Sequence, residues 1–119
     1  MPETPLEPAK AVLDCHQLLA WVIPQIDRMP RQRRFTLGDR LETLLLQVLE
    51  NLTEANYSPS AANPLKRANL KLDVARHLWR LAATLDAVPR KHYLIGSEKM
   101  VELGQQIGGW RKQQGRVRA

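Results

Sequence analysis

The sequence predicts an all-α protein, a single antiparallel four-helix bundle in up-down-up-down order. Apolar residues recur at steps of three and four along four separate segments, which is the spacing of a buried helix face. Prolines and other turn residues divide these segments by short connections, which place consecutive helices side by side. No run of residues alternates with period two, so no strand is expected. The 119 residues have room for one domain.

The first helix is predicted over residues 9–28. Its buried face comprises residues at helical spacing: Val12, Cys15, Leu19, Val22, Ile26 and Met29. Pro24 falls inside this helix and is expected to bend it, whereas Pro30 is expected to end it. Residues 1–8 contain three prolines and predict a disordered N-terminal tail.

The second helix is predicted from Thr36 to about Tyr57. Thr36 and Asp39 have the spacing of a capping box, with Asp in place of the usual Glu or Gln. The buried face comprises a leucine-rich set: Leu37, Leu41, Leu44, Leu45, Val48, Leu52 and Ala55.

The third and fourth helices are predicted over residues 64–87 and 92–114. Pro64 suits the first helical position and is expected to start the third helix, and Pro89 closes it. The buried face of the third helix comprises Leu65, Ala68, Leu72, Ala75, Leu78, Trp79, Ala82 and Leu85. The buried face of the fourth helix comprises Tyr93, Met100, Leu103, Ile107 and Trp110. Gly115 is expected to stop the fourth helix. The bundle domain then spans residues 9–114, and residues 115–119 form a basic C-terminal tail.

Composition predicts a basic cytoplasmic protein. The formal net charge is +6, which favours anionic partners such as nucleic acid, although a charged surface also serves solubility alone. Cys15 is the single cysteine and allows no intrachain disulfide. The first ten residues lack the apolar run of a signal peptide, and no segment is long and apolar enough to cross a membrane.

No catalytic, cofactor or metal site is predicted. The histidines are His16, His77 and His92, and none has a Glu three residues before it, so the paired motif of bundle di-metal sites is missing. A phosphate-binding glycine-rich loop is also missing. An enzyme is therefore not expected.

Six arginines are the predicted contacts to nucleic acid or a partner. Arg28, Arg31, Arg33 and Arg34 crowd the junction between the first two helices, and Arg76 and Arg80 share the polar face of the third helix. Guanidinium groups match phosphate geometry with two donors at once. The alternative is a solvated basic face.

Charge segregation and two apolar residues predict self-association. The outward side of the second helix is acidic and includes Leu46, while the third helix is basic, so one copy's acidic face could meet another's basic face. Trp21 falls about half a turn from the apolar face of the first helix. We expect Trp21 and Leu46 to lie at a contact between protomers, because Trp is enriched at interface cores.

Several short motifs together resemble a known family. They are Phe35-Thr36-Leu37-Gly38-Asp39-Arg40-Leu41, Glu54-Ala55-Asn56-Tyr57, Ala68-Asn69, Arg80-Leu81 and Gly108-Gly109-Trp110. Their order and spacing are similar to the four-helix-bundle family that contains the accessory variability determinant (Avd) of diversity-generating retroelements and the proteins encoded in rRNA intervening sequences. The resemblance implies a homopentameric ring and, in the retroelement branch, a basic protein that binds a reverse transcriptase and nucleic acid.

The leading functional hypothesis is a non-enzymatic oligomeric scaffold that binds RNA or DNA, as an accessory protein of a diversity-generating retroelement. The alternative is a structural homo-oligomer of the rRNA intervening-sequence type, ribosome-associated or with no nucleic-acid role. The sequence leaves open the choice between a reverse-transcriptase accessory, a ribosome-associated protein and a stand-alone assembly.

Overall fold

Four helices with short connections make up the described part of the chain. The computed structural model describes residues 9–118, and the predicted N-terminal tail over residues 1–8 lies outside them. The helices are α1 (Lys10–Asp27), α2, which runs from Arg31 to Tyr57 in three parts, α3 (Ala62–Thr84) and α4 (Arg90–Arg118). No strand occurs among the described residues, which confirms the predicted all-α four-helix bundle.

Consecutive helices are antiparallel neighbours. The backbone N–H of Ala9, at the start of α1, donates to Oδ1 of Asn56, near the end of α2, at 3.0 Å. α2 packs on α1 and α3, and α4 packs on α3 and α1, which closes the bundle. The α1–α2 and α3–α4 junctions therefore lie at one end, and the α2–α3 connection lies at the other.

The core confirms most of the predicted faces. Cys15, Val22, Leu45 and Leu52 are fully buried on α1 and α2, and Leu72 of α3 is 1% exposed. On α4, Met100, Leu103 and Ile107 are buried, while Tyr93 and Trp110 pack against the core at its margin. Helical periodicity predicts these faces because burial of one stripe per helix is the main source of bundle stability.

The predicted start of α2 is wrong. The helix begins five residues earlier, with an α-turn at Arg31–Arg33, a π-helical turn at Arg34–Gly38 and an α-helix over Asp39–Tyr57. The Thr36 hydroxyl donates back to the carbonyl of Gln32 at 2.9 Å, so it caps no helix start. Pro30 begins the helix, because its carbonyl accepts the N–H groups of Arg33 and Arg34.

Leu85 was predicted on the buried face of α3 but is 40% exposed. The helix ends earlier because Asp86 adopts a left-handed backbone conformation with φ of 57°. The N–H of Asp86 then donates to Ala83, and that of Ala87 to Ala82, in the hydrogen-bond pattern of a Schellman motif. Ala87 and the following Val88 are buried past the end of the helix, and Leu85 is turned to the surface.

Two other helix boundaries differ from prediction. α3 begins at Ala62, so Pro64 occupies the third helical position, where its missing N–H leaves no carbonyl unpaired. α4 continues through Gly115 to Arg118. Glycine stops a helix when it adopts a left-handed conformation, and no glycine among the described residues has a positive φ. Pro24 lies inside α1 without ending it; the bend stays a prediction.

Candidate nucleic-acid interface

The positive charge of the chain is concentrated at the end formed by the α1–α2 and α3–α4 junctions. Residues 27–40 contain five arginines and two aspartates, and residues 76–93 contain three arginines, one lysine and one aspartate. These two segments, here called the basic end, together carry a net charge of +6, equal to that of the whole chain. All other residues of the chain sum to zero, although Arg111, Lys112, Arg116 and Arg118 form a second run of positive charge near the end of α4.

The four arginines predicted at the α1–α2 junction form one cluster. Arg28 follows the last residue of α1, and both Arg28 and Arg31 are exposed. Arg33 and Arg34 are half-buried, and Arg34 Nη1 donates to the carbonyl of Asp27 at 3.4 Å. This contact places a guanidinium at the C-terminal end of α1, where the helix dipole favours positive charge.

The cluster includes an aromatic ring that sequence reasoning used only as part of a motif. Phe35 is 56% exposed. The guanidinium carbons of Arg34 and Arg31 lie 4.9 and 5.8 Å from the centre of its ring, within cation–π range. The signal available in the sequence was an aromatic residue directly after an arginine-rich run, a composition typical of nucleic-acid surfaces.

Arg76 and Arg80 are exposed on α3 at the same end, as a second group. Both border a cleft of about 320 Å³ between α3 and α4, lined also by His77, Tyr93 and Ser97. Arg76 approaches Asp73 at 3.5 Å, so part of its charge is neutralised within the protomer. Arg80 also lines a neighbouring cleft that contains Arg90. The structure thus brings the six predicted arginines to one end, in two groups.

The sequence suggested that Trp21 lies on an unpartnered polar face, but its ring has partners within the protomer. Its ring meets Trp79 edge-on with centroids 6.0 Å apart, and meets His92 at 6.2 Å. The Lys99 ammonium lies 6.0 Å from the ring centre. The indole is therefore half-buried among α1, α3 and α4, because a residue off the main face of one helix can still reach a diagonal neighbour in a bundle.

Leu46, the other predicted interface residue, is 41% exposed on the outward side of α2. Part of the negative charge on that side is neutralised within the protomer, since both carboxylate oxygens of Glu54 accept hydrogen bonds from Nη2 of Arg67 on α3, at 2.9 and 3.0 Å. The side of α2 around Leu46 keeps Asp39, Glu42 and Glu50. An intermolecular role for Leu46 and Trp21 stays a prediction.

Cys15 is fully buried, and burial raises the pKa of its thiol to about 12. It therefore remains a protonated, small apolar residue at neutral pH, since the thiolate is the reactive form. Nearby on α1, a hydrogen bond from Lys10 lowers the pKa of Asp14, which also accepts one from Gln106 of α4.

Within residues 9–118, no group of three or more His, Cys, Asp or Glu side chains is arranged to hold a metal ion. Over the same residues, no helix is long and apolar enough to cross a membrane.

Four antiparallel helices with arginine-rich junctions at one end define a helical-bundle protein with a basic end. The chain matches the model of the bAvd-like family over residues 11–114, and it belongs to that family. No curated protein matches the chain. The matched range covers all four helices except the first residue of α1 and the end of α4, and it contains every motif on which the resemblance rests.

Proposed function

We propose that this chain is a non-enzymatic oligomeric scaffold that binds nucleic acid at its basic end, as an accessory protein of a diversity-generating retroelement whose reverse transcriptase is its protein partner. The observation that carries the proposal is the clustering of eight arginines at the two junctions of one end. Membership of the bAvd-like family supports the accessory role.

The proposed mechanism is electrostatic. Arginines at the basic end neutralise phosphates and release counterions, which gives affinity without sequence preference. A single protomer presents only a few cations, so its affinity would be low. Several linked copies engage one strand at high effective concentration and gain affinity without a new kind of contact. Oligomerisation is therefore part of the proposed function.

Removing Arg33 and Arg34 together is expected to weaken binding of all sequences alike. Each phosphate contact contributes about −0.7 to −0.9 to the slope of log K against log salt, so losing two per protomer should flatten the slope by about 1.4 to 1.8 for each protomer that engages the strand. The measurement is a fluorescence-anisotropy titration of a labelled single strand at several salt concentrations, with the Arg33→Ala/Arg34→Ala variant beside the unaltered protein.

The matched control is Arg111→Ala/Lys112→Ala, which removes two exposed positive charges from the opposite half of α4. This variant is expected to retain most of the affinity and slope. Equal losses in both variants would assign binding to net charge instead of the basic end. If the unaltered protein does not bind at low salt, the proposed nucleic-acid function is wrong.

We propose that the protein assembles as a homopentameric ring through the outward side of α2. The exposed Leu46 lies among acidic residues, whereas α3 exposes Leu81 beside Arg80. A ring needs such a head-to-tail contact between two different patches. Trp21 would contribute the part of its indole that Trp79 and His92 leave exposed.

Leu46→Lys is expected to shift the protein from the mass of five 13.6 kDa chains to that of one, because it replaces apolar contact with a positive charge that faces the basic side of the neighbour's α3. Light scattering at micromolar concentration measures the mass. Leu13→Lys is the control, since Leu13 is similarly exposed, at 48%, on α1. A monomeric unaltered protein would refute the ring.

The second candidate function is a structural homo-oligomer of the rRNA intervening-sequence type. The exposed leucines on α2 and α3 favour self-association whether or not nucleic acid binds. An assembled protein that binds no strand at low salt would support this function over the first.

A further inference from the structure

The feature that the electrostatic proposal leaves unused is the exposed ring of Phe35, the single phenylalanine of the chain. More than half of its surface faces solvent, although the neighbouring Leu37 is half-buried and Gly38 is buried. An aromatic ring loses favourable burial when it is left in water, so its exposure beside cations requires a reason.

The backbone explains how the ring is held outside the core. Arg34–Gly38 forms a π-helical turn, in which the N–H of Asp39 donates to the carbonyl of Arg34, five residues earlier. Phe35 lies within this turn, which is wider than an α-turn and departs locally from α-helical side-chain positions. A Cβ at Gly38 would lie 2.8 Å from Cγ2 of Ile26, so close packing on α1 fixes the turn at this glycine. Phe35 is thereby displayed on a rigid element.

The surroundings of the ring are cationic and polar. Phe35 forms one wall of a shallow hollow of about 530 Å³ whose other lining residues are Pro30, Arg31 and Gln32. The guanidinium groups of Arg31 and Arg34 lie over the ring. Such contacts at an exposed site are weak, so a ligand with a flat ring and adjacent negative charges can replace them.

We infer that Phe35 is a stacking platform for an unpaired nucleobase, with Arg31 and Arg34 binding the phosphates on either side of that base. The ligand class is single-stranded nucleic acid, because the face of a base within a duplex is covered by its neighbours. This inference rests on the proposed nucleic-acid function of the basic end and adds that the site selects single strands.

A protein partner is the other ligand that an exposed aromatic residue would suit. The hollow favours nucleic acid because none of its lining residues is acidic, and because the arginine-rich segment from Arg28 to Arg34 leads directly into the ring. Cations along the backbone path and an aromatic ring beneath the base are the two components of a single-strand binding surface.

The test compares Phe35→Leu, which keeps apolar volume but removes the aromatic face, with Phe35→Tyr, which keeps the face. Anisotropy titrations at several salt concentrations use the full chain and three labelled probes: a single strand, the duplex of the same sequence, and a strand of the same length with abasic sugars. Stacking of one base corresponds to about 5- to 150-fold in affinity. We expect Phe35→Leu to lose that factor on the ordinary single strand, and Phe35→Tyr to retain it.

Binding to the duplex and to the abasic strand should change less than twofold in Phe35→Leu, and the salt slope should stay the same because no phosphate contact is lost. Equal binding of the single strand by Phe35→Leu and the unaltered protein would refute stacking while leaving the phosphate site intact. A change in oligomer mass for Phe35→Leu would assign the phenyl ring to a contact between protomers, and this result would also refute stacking. If only Arg33→Ala/Arg34→Ala loses binding, the proposed nucleic-acid function stands and Phe35 is not a stacking platform.

Discussion

Replacing Gly96 with alanine is expected to destabilise the bundle, near the upper end of the roughly 1–3 kcal/mol that overpacking costs. A Cβ at this position would lie 2.6 Å from Cε2 and Cζ2 of Trp79 and 2.7 Å from its Nε1. The indole is 1% exposed, and Nε1 donates to the carbonyl of Tyr93 at 2.9 Å. The ring therefore loses this hydrogen bond and its close packing if it moves away from an added methyl group.

Gly109→Ala is the matched control on the same helix. Gly109 is exposed, and a Cβ there would meet nothing within 4 Å. Alanine should stabilise this position by about 0.5–1 kcal/mol, because glycine loses more conformational freedom in a helix. Urea denaturation followed by circular dichroism measures both changes. Stabilisation by both substitutions would show that α4 does not approach Trp79 as closely as described.

The contrast between these two glycines shows what sequence can and cannot predict about the fold. Sequence alone indicates that any glycine weakens a helix, so it ranks Gly96 and Gly109 alike. Periodicity is a signal along one helix and correctly predicted the buried faces that include Val22, Leu45 and Leu72. The approach of α4 to the indole of α3 depends on how two helices meet, which periodicity within either helix does not contain.

The errors at helix ends also arise from features that periodicity within a helix does not contain. Pro89 was expected to close the third helix, but the left-handed conformation of Asp86 ends it earlier. Asp adopts this conformation at small cost, though less readily than glycine, so its identity is a weak signal beside a proline. The capping motif at Thr36 was misleading because Pro30 had already begun the helix, and a hydroxyl inside a helix donates back to a carbonyl.

The candidate site was likewise predictable from the sequence only in part. Arginine clustering is visible in the sequence, and up-down-up-down topology is enough to place Arg28 to Arg34 and Arg80 at one end of the bundle. The exposure of Phe35 was not predictable, because it depends on a π turn whose i to i+5 hydrogen bonds have no simple residue pattern. The partial neutralisation of Arg76 by Asp73 needed side-chain geometry.

Leu72→Ala is expected to cost about 2–5 kcal/mol, because the side chain is 1% exposed and its removal leaves a cavity in the centre of the bundle. Cδ2 of Leu72 lies 3.7 Å from where a Cβ would stand on Gly104, so the leucine fills the space that this glycine leaves between α3 and α4. A well-packed neighbourhood of this kind collapses little around the missing atoms, which keeps the cost high.

Leu70→Ala tests the assignment of faces, since Leu70 lies two residues earlier on α3 and is 65% exposed. Both substitutions replace leucine with alanine inside one helix, so their helix propensities change equally and only burial differs. Leu70→Ala should stay within about 0.5 kcal/mol of the unaltered protein. Both variants are unfolded in urea at one protein concentration, because assembly links stability to concentration. Equal midpoints for the two variants would mean that the buried face of α3 is wrongly assigned.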